Sequence, residues 1–429
     1  MIRSKLIALA IAPAAVFASC GQSISSTEIS TSEASSAADT ASSSEADSAA
    51  VTADIEESDI SVSKEDASSK EEPVREPLSK AEEALAKLSL REKVGQLFIF
   101  RFDSLIYNDN LDHMVQYVDD QFRECAEKYP VGGFIALGAN IGSAEQVTQL
   151  NKDVSDLYGK VKPFLCIDEE GGSVARIANS GVIDVPQFPS MNYIAAGGDV
   201  SKAHELGSTI GGYLKEYGFN LDLAPVADVN TNPNNIVIGD RAFGSDPAAA
   251  SEYVRAVVEG LHENGIMSCL KHFPGHGDTA EDTHFSTAAV NKTWEEMKEC
   301  ELVPFIGSLD KTDMIMSAHI IAPKVTGDDT PASLSYTLLT EKLRNELGYD
   351  GVIITDSLGM GAVNRYFTSE ECCVKAIEAG ADILLKPAKD YEGFEAVVKA
   401  VEDGTITEER LDESVLRILK LKEKYGLIK

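Results

Sequence analysis

IMSCLKHFPGHGDTAEDTHFS, residues 266–286, is an apolar run that ends in a loop loaded with histidine and acid. Ile266 to Leu270 read as a buried strand. Lys271, His272, His276, Asp282 and His284 follow it, with Pro274, Gly275 and Gly277 between them. Three of the chain's seven histidines fall in this stretch. A buried strand that runs into a Gly/Pro-rich, titratable loop is where β/α proteins place their chemistry. The density of ionisable groups separates this loop from an ordinary polar turn.

Seven other stretches have the same apolar form: 94–100, 131–137, 163–168, 221–229, 313–319, 351–357 and 381–387. Their hydrophobicity is continuous rather than alternating, which suits strands buried on both faces of a parallel sheet. Helical signals separate them. Ser143 with Gln146 and Thr293 with Glu296 have capping-box spacing. Asp246-Pro247 is an N-cap followed by an N1 proline. Ala203, Leu206, Ile210, Tyr213 and Tyr217 recur at helical spacing until Gly218 stops them, and Leu411, Val415, Ile418 and Leu419 mark a last helix. Eight strands, each followed by a helix or long loop, predict an α/β protein: a (β/α)8 TIM-type barrel forming a single catalytic domain over residues 78–429. A doubly wound sheet is the alternative, because periodicity alone does not close a barrel. Neither an internal repeat nor a second domain is visible.

The front of the chain reads differently. Residues 1–20 have a short basic start (Arg3, Lys5), an apolar core from Leu6 to Val16, and small residues before Cys20. This resembles a bacterial lipoprotein signal, with Phe17 where Leu is usual. It implies cleavage before Cys20, lipidation of its thiol, and an extracytoplasmic protein anchored to the cell membrane. An ordinary secretory peptide is the alternative. Residues 21–77 are a Ser/Ala tract with 14 acids and 3 bases. Such a composition buries too little apolar surface to order itself, so a disordered acidic tether is expected. The whole chain has a formal net charge of −32, which argues against a nucleic-acid partner. Six cysteines remain after Cys20. Their spacing fits no zinc site and no disulfide scaffold, so mostly free, buried thiols are expected and no metal is assigned.

Polar residues collect at the ends of the apolar runs: Asp168-Glu169-Glu170, Asp228, Lys271-His272, His319, Asp356 and Lys386. Asp356 follows Val352-Ile353-Ile354-Thr355, and an acid at the tip of so apolar a strand is costly unless paired or used. It reads as a carboxylate nucleophile or as an N-cap. Asp282-Thr283-His284 reads as a carboxylate-tuned acid/base histidine or as an exposed turn. Asp168, Glu169, Glu170, Arg176 and Arg241 read as partners for polar ligands or as a loop ion-pair network. Gly171-Gly172 lacks the spacing of a phosphate-binding loop, so no cofactor is expected.

The residues KHFPGHGDTAEDTH, 271–284, resemble the signature of the β-N-acetylglucosaminidases of glycoside hydrolase family 3 at every fixed position. DEEGGSVAR, GDRAFG, MSAH, LGYDGVIITDSLGM and the AGAD turn extend the resemblance from about Leu88 to the end. It implies a retaining hydrolase acting on terminal β-linked N-acetylglucosamine, in peptidoglycan fragments or related glycans. Carried over, Asp356 is the nucleophile and His284 the acid/base, with Asp282 as its partner. Asp168, Arg176, Arg241, Lys271 and His272 bind the sugar, and His319 joins them with a less defined role. Other readings stay open: a phosphorylase or β-glucosidase on the same fold, a barrel metallohydrolase using the histidines, and a non-catalytic glycan-binding lipoprotein.

Overall fold

Each of the eight apolar stretches contributes one strand to the computed structural model, which describes residues 78–107, 114–279 and 288–429. These are β1 (Phe98–Arg101), β2 (Gly133–Ile135), β3 (Phe164–Ile167), β4 (Leu221–Asp222), β5 (Cys269–Phe273), β6 (Met314–Ser317), β7 (Val352–Thr355) and β8 (Leu384–Leu385). Two parallel sheets result, in the orders β8-β1-β2-β3-β4 and β5-β6-β7. The last strand pairs with the first, Phe98 opposite Leu384, and no reversal of order occurs within either sheet. Isolated parallel bridges join Leu221 to Met267, Val226 to Lys271, and Ile354 to Ile383. This is an α/β architecture without the order reversal of a doubly wound sheet. Residues Val74–Lys429 make one compact unit.

The strands are shorter than the apolar runs that announce them. Val94, Gly95 and Gln96, read as the start of the first strand, end a helix instead (Leu90–Gln96). Ser89 accepts from the Glu92 N–H, and Glu92 accepts in return from the Ser89 N–H at 2.8 Å, so a capping box starts the helix. The fourth run keeps only two residues in a ladder, because Pro225 has no N–H to give. Beyond Asp222 the pairing is piecemeal: Leu223 donates to Ile167 at 2.8 Å and Ala227 to Lys271 at 2.6 Å.

The helical signals are largely realised. Thr293 and Glu296 cap one another's N–H groups ahead of Trp294–Glu299. Asp246 accepts from Ala248 and Ala249 at the head of Pro247–Glu263. At Ala144–Leu157, Ser143 accepts from Gln146, but the Gln146 carboxamide reaches one residue further back, to the Gly142 N–H at 2.7 Å. The helices Ser201–Glu216 and Glu408–Lys424 occupy the expected segments.

Phe98, Ile99, Phe100, Phe134, Phe164, Ile167, Leu270, Ile315, Ile353 and Leu384 are wholly buried, on both faces of the strands. Each such side chain contributes about 1.5–3 kcal/mol. Cys166, Cys269, Cys372 and Cys373 are buried free thiols, and Cys125 and Cys300 are free and partly exposed. At the start of β7 and β8, Asp382 accepts from the Ile353 N–H, Arg344 and Ser414, which ties the C-terminal helix to the sheet. No helix among the described residues is long and apolar enough to cross a membrane.

Candidate active site

The opposite ends of the strands open on a cavity of about 620 Å³. Asp168, Arg176, Arg241, Lys271, His272 and Asp356 line it, together with Glu170, His276, Arg101, Lys386 and Asp390. Residues more than a hundred positions apart meet there because each follows a different strand.

Asp168 stands directly after β3. The chain then forms an antiparallel hairpin, Glu169–Gly171 against Val174–Ala175. Gly171 (φ +90°) and Gly172 (φ +58°) make its turn, and a Cβ on Gly171 would come within 2.9 Å of Met191. Alternation along the hairpin sends the two glutamates to different places. Glu169 is fully buried and accepts from the Ile177 and Ala178 N–H groups and from the Tyr213 hydroxyl, at 2.8–2.9 Å. Glu170 faces the cavity and holds two cations. Arg241 donates to it twice, at 2.9 and 2.7 Å, and Lys271 lies 2.7 Å away.

Lys271 also donates to Asp168 at 2.9 Å. The ammonium is thus held between two carboxylates, with only 3% of its side chain exposed. Burial would raise both acids, but the charges of Lys271 with Arg176 hold Asp168 well below the carboxylate range. Lys271 with Arg241 brings Glu170 down to about 2. Burial would lower Lys271, and Asp168 and Glu170 reverse the sign. Arg176 approaches Asp168 at 3.5 Å, and its buried Nε has no partner among the described residues. A ligand hydroxyl is the natural acceptor for that donor.

His272 is fixed by Asp228, which lies in the fourth apolar run. The carboxylate accepts from the His272 main-chain N–H and from Nδ1–H at 2.7 Å, leaving Nε2 for the cavity. Asp228 accepts from the His276 N–H as well, at 2.6 Å. The loop after β5 is tied down as far as Thr279. Asn235 donates to the His276 carbonyl at 2.8 Å, and Thr231 donates to Asp278 at 2.9 Å. Gly277 is required by close approach: a Cβ there would lie 1.9 Å from the Val229 carbonyl oxygen. Asp282 and His284 lie just beyond, outside the described residues.

Asp356 follows β7 and is partly open to the cavity. It is not the side-chain cap of the short helix that follows, which has no side-chain cap bond. Its Oδ1 accepts from the Ser357 N–H at 2.6 Å. Burial would raise it, but His319, His272 and that N–H hold it below the ordinary carboxylate value. His319 does not line the cavity. Its Nε2–H donates to the Ser357 carbonyl at 2.9 Å and Nδ1 pairs with the Ser333 hydroxyl at 2.7 Å, so it sits behind the Asp356 loop. Among the described residues, no cluster of three or more His, Cys, Asp or Glu is arranged to hold a metal ion.

The reading of strand ends names Glu170 and Asp228 among the polar residues gathered there, but it does not identify the partner of either. The signal for each was present, an acid at a strand end, but its partner lies about fifty to a hundred residues away and only the fold brings the two together. Arg101 and Asp390 carried no sequence signal.

A model of the glycosyl hydrolase family 3 N terminal domain matches residues 89–421. "Beta-hexosaminidase A" of Pseudoalteromonas piscicida is 33% identical over 333 residues, which cover 71% of this chain and 55% of that protein. "Beta-hexosaminidase" of Idiomarina loihiensis is 33% identical over 291 residues, covering 67% and 85% respectively. The structure of a glycoside hydrolase family 3 beta-N-acetylglucosaminidase from Paenibacillus superposes with a TM-score of 0.74 at 34% identity, covering 79% of this chain and 63% of that one. The chain therefore spans little more than half of the Pseudoalteromonas relative and under two thirds of the Paenibacillus protein.

Proposed function

The chain belongs to glycosyl hydrolase family 3, and from that premise we propose that it is a retaining exo-β-N-acetylglucosaminidase acting on peptidoglycan fragments or related glycans. One observation carries the reading. An ionised carboxylate, Asp356, opens on the same cavity as Asp168, Arg176, Arg241, Lys271 and His272, a set rich in groups that pair with sugar hydroxyls.

In the first step an Asp356 oxygen attacks the anomeric carbon while the glycosidic C–O bond breaks. Protonated His284, oriented by Asp282, gives its proton to the departing oxygen. In the second step water adds to the anomeric carbon, His284 takes its proton, and the bond to Asp356 breaks. Most retaining glycosidases use a second carboxyl group for this proton work. Neither neighbouring glutamate is placed for it: Glu169 is buried on three donors, and Glu170 is held ionised by Arg241 and Lys271. Both observations favour the histidine loop as the proton carrier. His319 supports the Asp356 loop from behind rather than touching sugar.

The proposal extends to the fold. The three isolated bridges between the sheets support a complete (β/α)8 barrel as the catalytic domain over 78–429. It extends also to location: the lipoprotein-like box at Cys20 supports a lipid anchor and the acidic tract 21–77 a tether, which would hold the enzyme outside the cytoplasm near cell-wall glycans. The test is turnover of paired aryl β-glucosides and β-N-acetylglucosaminides, with products identified with and without phosphate. Faster release of free N-acetylglucosamine supports the reading. Preference for glucosides, or release of a sugar phosphate only, contradicts it.

A further inference from the structure

Thr279 and Ala288 are the described residues that bound the segment carrying Asp282 and His284. Each side of that segment is tied to a different part of the fold. On the outgoing side, Asp278 accepts from the Thr231 hydroxyl at 2.9 Å, and Asn232 donates to the Thr279 carbonyl at 3.1 Å. On the returning side, Val290 donates to the Ile321 carbonyl and Ile321 to the Ala288 carbonyl, each at 2.9 Å. The outgoing chain is thus fastened to the segment after the fourth apolar run, and the returning chain to the segment after β6. None of these bonds joins the two sides to each other. Lys292 does. It follows closely on Val290, and its ammonium donates to Glu301 Oε1 and lies 3.6 Å from Asp278 Oδ2.

Glu301 separates this arrangement from an ordinary surface pair. It is wholly buried in the corner between the helices Trp294–Glu299 and Val303–Ile306, and its Oε2 has no partner among the described residues. It packs against the turn that opens the loop: a Cβ on Gly275 (φ +117°) would come within 2.6 Å of the Glu301 Cβ. A buried carboxylate is costly unless paired, so Glu301 holds Lys292 in place. Burial would lower Lys292, but Glu301 and Asp278 raise it instead, and the ammonium stays charged. An ion pair that only neutralised Glu301 would need no second acid. Here the cation comes from the returning side, while its second acid and the packing of its first belong to the outgoing side. None of the three residues lines the cavity.

We propose that Lys292 is a positioning residue for the proton step: by joining Asp278 to Glu301 it fixes the separation of the two chain ends between which Asp282 and His284 stand, and so the reach of His284 toward the departing oxygen. Lys292 touches no sugar and carries no proton in the reaction. The proposal rests on the glycosidase reading and on His284 as its acid/base. It gives a residue outside the cavity an effect on the first step that depends on the leaving group. A displacement of about 1 Å in a reacting group costs up to about 10²-fold in rate.

The test uses the full chain and two β-N-acetylglucosaminides, one with an activated dinitrophenyl leaving group and one with unactivated phenyl. The readout is kcat/KM, which reports the first step. Lys292→Met should lower it about tenfold or more on the phenyl glycoside and much less on the dinitrophenyl one. Lys292→Arg keeps the charge and should restore most of the loss. Lys292→Met combined with Glu301→Gln leaves no buried carboxylate unpaired, so it keeps the fold should the single variant lose it, and it should show the same dependence on the leaving group. In a His284→Gly background, Lys292→Met should add little, because the group it positions is gone. Equal losses on the two glycosides, or a full additional loss in the His284→Gly background, would overturn the positioning role and leave Lys292 a structural ion pair. His284→Gly alone separates the two proposals. If it shows no dependence on the leaving group, the proton carrier itself is misassigned and the role of Lys292 falls with it. If it shows the dependence and the Lys292 variants do not, only the role of Lys292 falls.

Discussion

The Asp228 carboxylate holds His272 at two points, accepting its main-chain N–H at 3.2 Å and its Nδ1–H at 2.7 Å. The two residues lie 44 positions apart, brought together where Val226 bridges to Lys271. One buried acid thus sets the tautomer of a cavity histidine and, through the His276 N–H, the start of the loop that leads to His284. Asp228→Ala leaves three donors without an acceptor, each at about 1–3 kcal/mol. The expected result is a drop in unfolding free energy of about 3 kcal/mol or more and a fall in kcat/KM. Asp228→Asn keeps one acceptor and should recover folding more than turnover. Full activity in both variants would show that His272 needs no such positioning.

Glu170 makes acid stability measurable. Its carboxyl titrates at about 2, against about 4.3 in an unfolded chain. A lowered folded-state pKa stabilises fully above the unfolded value and loses that contribution as pH falls toward the folded one. Wild type should therefore lose stability between about pH 4.3 and 2 in part through this residue. Glu170→Gln should be less stable at pH 7, on the order of 3 kcal/mol, because Lys271 and Arg241 lose a buried partner. Its stability should also fall less steeply in that acid window. Parallel acid limbs for the two proteins, by chemical denaturation, would contradict the assignment.

Gly277 offers a test of loop placement. A methyl group there meets the Val229 carbonyl oxygen, which belongs to backbone and cannot swing aside. Gly277→Ala should displace the loop that leads to Asp282 and His284, reducing kcat by about tenfold or more while the sheet core stays folded. Unchanged kcat would mean that the loop after β5 does not carry the proton step.

The positions of the strands were legible because parallel strands buried on both faces must be apolar throughout, as Val352-Ile353-Ile354-Thr355 is. Their ends were not. Hydrophobicity cannot tell that Val94 belongs to a helix, since a buried helix and a buried strand are equally apolar; the cap at Ser89 decides it. The site was legible where a residue type is out of place, as an acid is at Asp356. It was opaque where function is shared across the fold. Glu170 is one of three successive acids, and only Arg241 and Lys271, placed by other strands, distinguish it from Glu169. His319 shows the converse: a histidine at a strand end that the fold turns to supporting a loop.

His284→Gly should lose activity according to the leaving group. A natural sugar needs its oxygen protonated, whereas an activated phenolate departs with little help. General acid catalysis contributes about 10²–10⁴-fold, so disaccharides should slow by that order. The first step on activated aryl substrates should suffer much less. Equal first-step losses on good and poor leaving groups, measured by the initial burst of phenolate, would rule His284 out as the acid.

The central claim is that Asp356 forms a bond to the sugar, and its most direct test is the mass of the protein during turnover. With His284→Gly and an activated aryl β-N-acetylglucosaminide, the first step proceeds while the second lacks its base. Intact mass spectrometry should then show one N-acetylhexosaminyl group added, and peptide mapping should locate it on Asp356. Asp356→Ala should show no adduct and no turnover. An adduct on another carboxylate, or sugar release by Asp356→Ala at the wild-type rate, would contradict the account.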